Sequence, residues 1–339
     1  MKIAFVAPLV TPIREPQLGG SQVIVADVAG GLAARGHDVD VFAATGSHID
    51  GARVVDTGVD SSRLRSSMFR ADGSATTSAA VRDAFARTYD LVRSNDYDVV
   101  HNHAFDAPAI ELAAGLPAVH TLHLGPQADI AEAVNASAAR VVCVSESQRE
   151  LWQRHVRVAG VVRNGVPVDR IAWSARAGAA ALYAGRISPE KGTAEAIDIA
   201  RAGGVPIVVV GHEYDTAYAA SLRSRYPDVE LCEPLPRPEL WRLMAASCAL
   251  LCPITWDEPF GLTAAEAQAA GTPVIGFPRG ALPEVVADGV TGALVDGVAA
   301  AAEALRDVAR FDRAACRKHA EEHLALDTTL DAHEKLYVA

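Results

Sequence analysis

Two successive series of short apolar runs rich in β-branched residues, each run separated from the next by a helical stretch, constrain this chain more than any other feature. The first series places strands at 2–7, 38–43, 98–102, 118–122 and 140–144. The second places them at 181–184, 206–210, 229–232, 249–252, 273–277 and 292–295. Strands that alternate with helices return to the same sheet by crossovers, so each series predicts a parallel α/β sheet wound on both faces. At 339 residues, half of them hydrophobic, the chain exceeds one ordinary core and suits two domains of about 150 residues each.

Between the two series, residues 165–181 are rich in Pro, Gly and Ala and read as an interdomain crossing. The expected division is an N-terminal domain over 1–168, a second domain over 169–320 and a C-terminal helix over 321–339 that packs back on the first. Residues 56–80 are polar, aperiodic and read as a loop with room for a short helix. Ser21 is placed to cap the first helix and Gly36 to stop it.

Charge and segment length exclude several classes of function. A net charge of -11 opposes nucleic acid or an anionic membrane as partner, since both recruit basic faces. No apolar run approaches the roughly 20 residues that span a bilayer, and the first residues read as a strand rather than an export leader, so a cytoplasmic protein is expected. The cysteines Cys143, Cys232, Cys248, Cys252 and Cys316 lack the spacing of a zinc site and read as reduced thiols. No metal ligand set is assigned.

Ligands of doubly wound sheets bind beyond the carboxyl ends of the strands, so the loops after strands should carry the chemistry. Gly19 and Gly20 stand between the first strand and first helix, where a backbone free of Cβ can approach a phosphate or sugar oxygen. A plain turn explains the pair equally well, and neither a dinucleotide fingerprint nor a P-loop is present. In the second series, Gly185-Arg186 follow a strand and Lys191-Gly192 follow shortly after, which sets two cations at one strand end. A departing diphosphate needs such fixed positive charge, although cations on loops are also commonly solvated.

The segment Asp257-Glu258-Pro259-Phe260-Gly261-Leu262-Thr263 leads into a helix that carries Glu266. Gly261, Leu262 and Thr263 would present helix N-terminal amides to a diphosphate. Glu266 lies among Ala264, Ala265, Ala267, Ala269 and Ala270, small residues that imply a packed helix, so its carboxylate needs partners.

With these residues in hand the chain resembles the family 4 retaining glycosyltransferases. The matches run in order from Gly19-Gly20 through the Asp98-Val99-Val100-His101-Asn102-His103 run, His123, Ser145-Glu146 and Asn164-Gly165-Val166 to Gly185-Arg186, Lys191-Gly192, the segment at Glu258, Glu266 and Pro283-Glu284. The resemblance implies the GT-B architecture, two Rossmann-like domains facing across a cleft. It implies a nucleotide diphosphate sugar as donor, with UDP the first choice, no required cofactor, and a small-molecule or glycoside acceptor. A member from an actinomycete antibiotic pathway is one expectation.

By the same resemblance Arg186 and Lys191 neutralise the diphosphate, Glu258 contacts sugar hydroxyls, Glu266 holds the ribose, Gly20 lies near donor phosphate and His123 near the reacting sugar. Retention without a carboxylate nucleophile then implies front-face attack. The family's paired glycine before Pro283-Glu284 reads Gly280-Ala281 here, which puts a backbone role at 281 in doubt. His101, His103 and His120 remain open between structural hydrogen bonding and direct roles. A nucleotide-sugar epimerase on the same scaffold, or a non-catalytic sugar-nucleotide-binding protein, are the alternative readings.

Overall fold

A computed structural model describes residues 1–68 and 79–338 of the chain. By contact density the chain divides into Met1–Arg163 with Thr329–Ala339, and Asn164–Thr328. The division falls at residue 163 rather than 168, and only the last eleven residues, not 321–339, return to the first unit.

The first unit holds a seven-stranded parallel sheet, built of β1 (Lys2–Val6), β2 (Asp38–Ala43), β3 (Arg53–Asp56), β4 (Val99–Asn102), β5 (Ala118–Leu122), β6 (Arg140–Cys143) and β7 (Val158–Val161). Their order, β3-β2-β1-β4-β5-β6-β7, puts the first strand next to the centre. Ile3, Ala4, Phe5 and Val6 are all buried because both faces of the strand are covered, which is why β1 reads as a continuous apolar run. On one face Ala4, Val6, Phe42 and Val100 pack with Phe85 and Tyr89, and farther along the same face Leu122, Val141 and Cys143 pack with Ile110, Val134 and Trp152. The C-terminal helix, Leu326–Val338, brings Ala332 and Leu336 onto Val119, Val142 and Val162.

The second unit holds six parallel strands, β8 (Ala181–Ala184), β9 (Ile207–Val210), β10 (Leu231–Cys232), β11 (Leu250–Cys252), β12 (Val274–Gly276) and β13 (Gly292–Leu294), in the order β10-β9-β8-β11-β12-β13. In both sheets the chain reverses its direction of strand addition beside the first strand of the series, between β1 and β4 and between β8 and β11. At such a switch point neighbouring loops leave the sheet in opposite directions and open a crevice.

Two expectations are corrected. Gly19, in extended conformation and with no side-chain bond, is the N-cap of the Gly20–Ala34 helix, so Ser21 does not cap it; its hydroxyl donates to Gln22 Oε1 at 3.0 Å. Strands β3 and β7 were not expected from the sequence. The polar stretch after β3 forms the helix Ser61–Met68, and the rest of that expected loop, 69–78, lies outside the described residues. All five cysteines are free thiols.

Candidate active site

The second unit assembles most of the expected site at its switch point. Gly185 and Arg186 leave the end of β8, while the Pro253–Thr263 segment leaves the end of the adjacent β11. Two contacts tie these loops together. The Thr255 amide donates to the Glu190 carbonyl at 3.0 Å, and Gly192, at φ 73°, lies so tightly under the Pro253 carbonyl that no side chain fits there. Only glycine combines that left-handed backbone with that approach.

This packing delivers Lys191 to Glu258. Lys191 Nζ donates to Glu258 Oε2 at 2.5 Å, and the Trp256 indole donates to the same oxygen at 2.7 Å. The ammonium also lies 4.9 Å from the Trp256 ring centre, a cation–π contact. Both members of the pair are largely buried, with 18% and 13% of their side chains exposed. Arg186 is more open: its guanidinium stacks 5.1 Å over Tyr214 and approaches Glu190 at 3.4 Å. The two cations expected at one strand end thus have different anchors, one locked on a carboxylate and one resting on an aromatic face.

Glu258 itself is fixed from behind. The Ala281 amide donates to its carbonyl at 2.8 Å, and Gly280, at φ 55°, packs directly on the Glu258 backbone N and O. Ala281 has φ −83°, a conformation open to alanine, so replacing the second glycine of the family pattern leaves this backbone contact intact.

Gly261, at φ 95°, is the N-cap of the Leu262–Ala269 helix. The Ala264 and Ala265 amides return to the Gly261 carbonyl, so those of Leu262 and Thr263 stand ahead of the first intrahelical bond, as an anion site requires. Glu266 lies in the next turn and is only 6% exposed. The partners its burial demands come from the Arg237–Ala246 helix: Arg237 Nε and Nη2 donate to Glu266 Oε1 at 3.1 and 2.9 Å, and Trp241 Nε1 at 3.0 Å.

In the first unit, His103 and His123 directly follow the ends of β4 and β5 and share a hydrogen bond, Nδ1 to Nε2, of 2.9 Å. His101 bonds Tyr337 Oη at 2.6 Å and Thr121 Oγ1 at 2.7 Å, and His120 bonds the Asn102 amide at 3.0 Å. His333 completes the group, its ring 5.1 Å from that of His101. Burial pushes His120 and His123 down to about 4 and His333 to about 3, and holds His101 and His103 well below their ordinary value. His123 is therefore a neutral imidazole near pH 7, able to hold a hydroxyl but not to supply a cation. Gly19 and Gly20 lie at the start of their helix, after the loop from β1.

Sequence reasoning missed Trp256, Tyr214, Arg237 and Trp241. Trp256 stood two residues before a selected carboxylate, and Arg237 and Trp241 share the one-turn spacing that sets two donors on one helix face. The Tyr214 contact links two loops and leaves no local signal.

Comparison with known proteins gives the family. The profile of Glycosyltransferase Family 4 matches residues 18–170, and that of Glycosyl transferases group 1 matches residues 176–323. The chain belongs to the family 4 glycosyltransferases of GT-B fold, and it is an enzyme of that class. One relative, a D-inositol 3-phosphate glycosyltransferase of Mycolicibacterium paratuberculosis, is 30% identical over 353 positions, covering 87% of this chain and 79% of the relative. Among solved structures, the sucrose-phosphate synthase of Thermosynechococcus elongatus superposes with a TM-score of 0.80 at 17% identity, over 99% and 98% of the two chains. Anabaena Alr3699/HepE, solved with UDP-glucose, superposes with a TM-score of 0.77 at 18% identity over the whole of both chains. Among the described residues no helix is long and apolar enough to cross a membrane.

Proposed function

We propose that this glycosyltransferase moves a sugar, with retention of anomeric configuration, from a nucleoside diphosphate donor, UDP first, to a small-molecule acceptor. The observation that carries the reading is the pairing of Lys191 with Glu258, beside the amides of Leu262 and Thr263, at adjacent strand ends of one switch point. A diphosphate arriving there meets two cations and a helix N-terminus, and Lys191 exchanges its carboxylate partner for the phosphate. Glu258, released and still held by Trp256, accepts hydroxyls of the transferred sugar. Glu266 accepts the ribose hydroxyls, and Gly185 lets the backbone approach the phosphates. In the first unit, His123 is assigned to a hydroxyl of the reacting sugar, and Gly19 and Gly20 to donor phosphate.

In the reaction, the bond from the anomeric carbon to the β-phosphate oxygen breaks while a bond to the acceptor hydroxyl forms on the same face. The acceptor proton passes to the departing phosphate oxygen. Arg186, Lys191 and the helix amides bear the charge that grows on the diphosphate, so catalysis needs no metal or organic cofactor in this reading. The names of the curated relatives make D-inositol 3-phosphate the first acceptor to offer, with natural-product glycosides second. Nucleoside diphosphate release from UDP-sugars in the presence of acceptor tests the proposal. Conversion of the donor to an epimer without UDP release, or binding without turnover, would replace it by one of the two alternatives.

A further inference from the structure

Resting on the assignment of Glu266 to the ribose, we infer that Arg237, supported by Trp241, is the positioning residue that makes this carboxylate a ribose receptor. Arg237, Trp241 and Glu266 are all less than one-tenth exposed, and three N–H donors from one helix converge on the single oxygen Oε1 of Glu266. Two come from the planar fork of one guanidinium, and Arg237 is itself stacked 4.8 Å over the Trp241 ring. Three donors on one oxygen, two of them in the fixed geometry of a guanidinium, hold that oxygen in place, which a single flexible point charge cannot do.

A staple between two helices is a poor explanation of this cluster. Apolar side chains of similar volume would join helices at least as well, because a buried ion pair costs desolvation that its attraction barely offsets. The helical neighbours Ala264, Ala265, Ala267, Ala269 and Ala270 carry no group that could hold a charge in place. With the guanidinium present, the carboxylate is aimed before the nucleotide arrives, so binding does not bear the cost of ordering it. Recognition of the ribose then belongs to Arg237 as much as to Glu266, although Arg237 acts only through its partner.

Calorimetric titrations of UDP, GDP and ADP, and of the 2′,3′-dideoxy form of whichever binds, test this on the full chain. The wild type should prefer the ribonucleotide by about 10-fold or more, the scale of charge-assisted hydrogen bonds. Glu266→Gln and Arg237→Met should each abolish most of that preference, and the double variant should lose no more than Glu266→Gln alone. Arg237→Lys should recover only part of it, and Trp241→Phe should lose roughly 2- to 5-fold. Retention of the preference in Arg237→Met, or losses that multiply in the double variant, would overturn the inference while leaving the ribose assignment standing. A wild type that ignores the ribose hydroxyls or binds none of the three, or a Glu266→Gln that binds normally, would overturn the ribose assignment and the inference with it. If Arg237→Met does not fold, Arg237→Lys and Trp241→Phe decide: wild-type preference in both refutes the inference.

Discussion

Replacing Lys191 by methionine should separate the two jobs that the structure gives this residue. In the free enzyme its ammonium donates to Glu258 Oε2 at 2.5 Å, in surroundings that expose 18% of the lysine and 13% of the glutamate side chain. Loss of the lysine leaves a largely buried carboxylate with the Trp256 indole as its remaining donor of this pair. A hydrogen bond to a charged group contributes about 1.5–3 kcal/mol, and at this partial burial the lower half of that range is expected. For a domain of this size that corresponds to a melting temperature lower by roughly 3–6 °C. Turnover should fall further, by about 100-fold or more, on the order of 3 kcal/mol of transition-state stabilisation. The double variant Lys191→Met/Glu258→Gln removes the orphaned charge, so it should regain most of the lost thermal stability yet remain as inactive as the single variant. Scanning calorimetry and initial rates of nucleotide release read the two effects separately. Wild-type turnover in Lys191→Met, or recovery of turnover in the double variant, would refute the reasoning.

Gly280→Ala should lower turnover about 10-fold or more and cause a clear loss of stability, because at φ 55° its Cβ would collide with the Glu258 backbone; unchanged kinetics would show that this strap does not matter. Transfer should survive EDTA, since Arg186, Lys191 and helix amides are assigned the diphosphate charge; loss on chelation with recovery on adding Mg²⁺ or Mn²⁺ would contradict that. Stability should fall as pH drops from 6.5 towards 4. The five buried histidines of the first unit bind fewer protons folded than unfolded in that window, each giving a slope of up to about 1.4 kcal/mol per pH unit. Asp106, pushed up to about 7 by burial, acts in the opposite sense, so Asp106→Asn should steepen the fall seen in melting curves.

What was legible in the sequence follows from what burial does to a strand. Strands covered on both faces, such as β1 and β11, announce themselves as unbroken apolar runs. The two missed strands are the half-exposed edges of their sheet: β3, Arg-Val-Val-Asp, has only two apolar residues, and Gly160 interrupts the short apolar run of β7. Arg186, Lys191, Glu258 and Glu266 stand out in the sequence as candidates because each sits in a loop or helix start of fixed local form. Their partners were not, since the contacts join segments far apart in sequence: Glu266 with Arg237 and Trp241, Arg186 with Tyr214, and His103 with His123. The need for a partner at Glu266 could be argued from its alanine neighbours; which residue met that need required the fold. Ser21 failed as a cap because its hydroxyl finds the Gln22 amide oxygen, leaving Gly19 at the N-cap.

Transfer from a nucleoside diphosphate donor with retention is read out by proton NMR of the first product. The enzyme is incubated with UDP-linked α-sugars, glucose, galactose and N-acetylglucosamine, and with D-inositol 3-phosphate as acceptor. UDP release should accompany a new anomeric proton with the small coupling constant of an α-glycoside. A β-configured product, or a donor converted to its epimer with no UDP released, would contradict it.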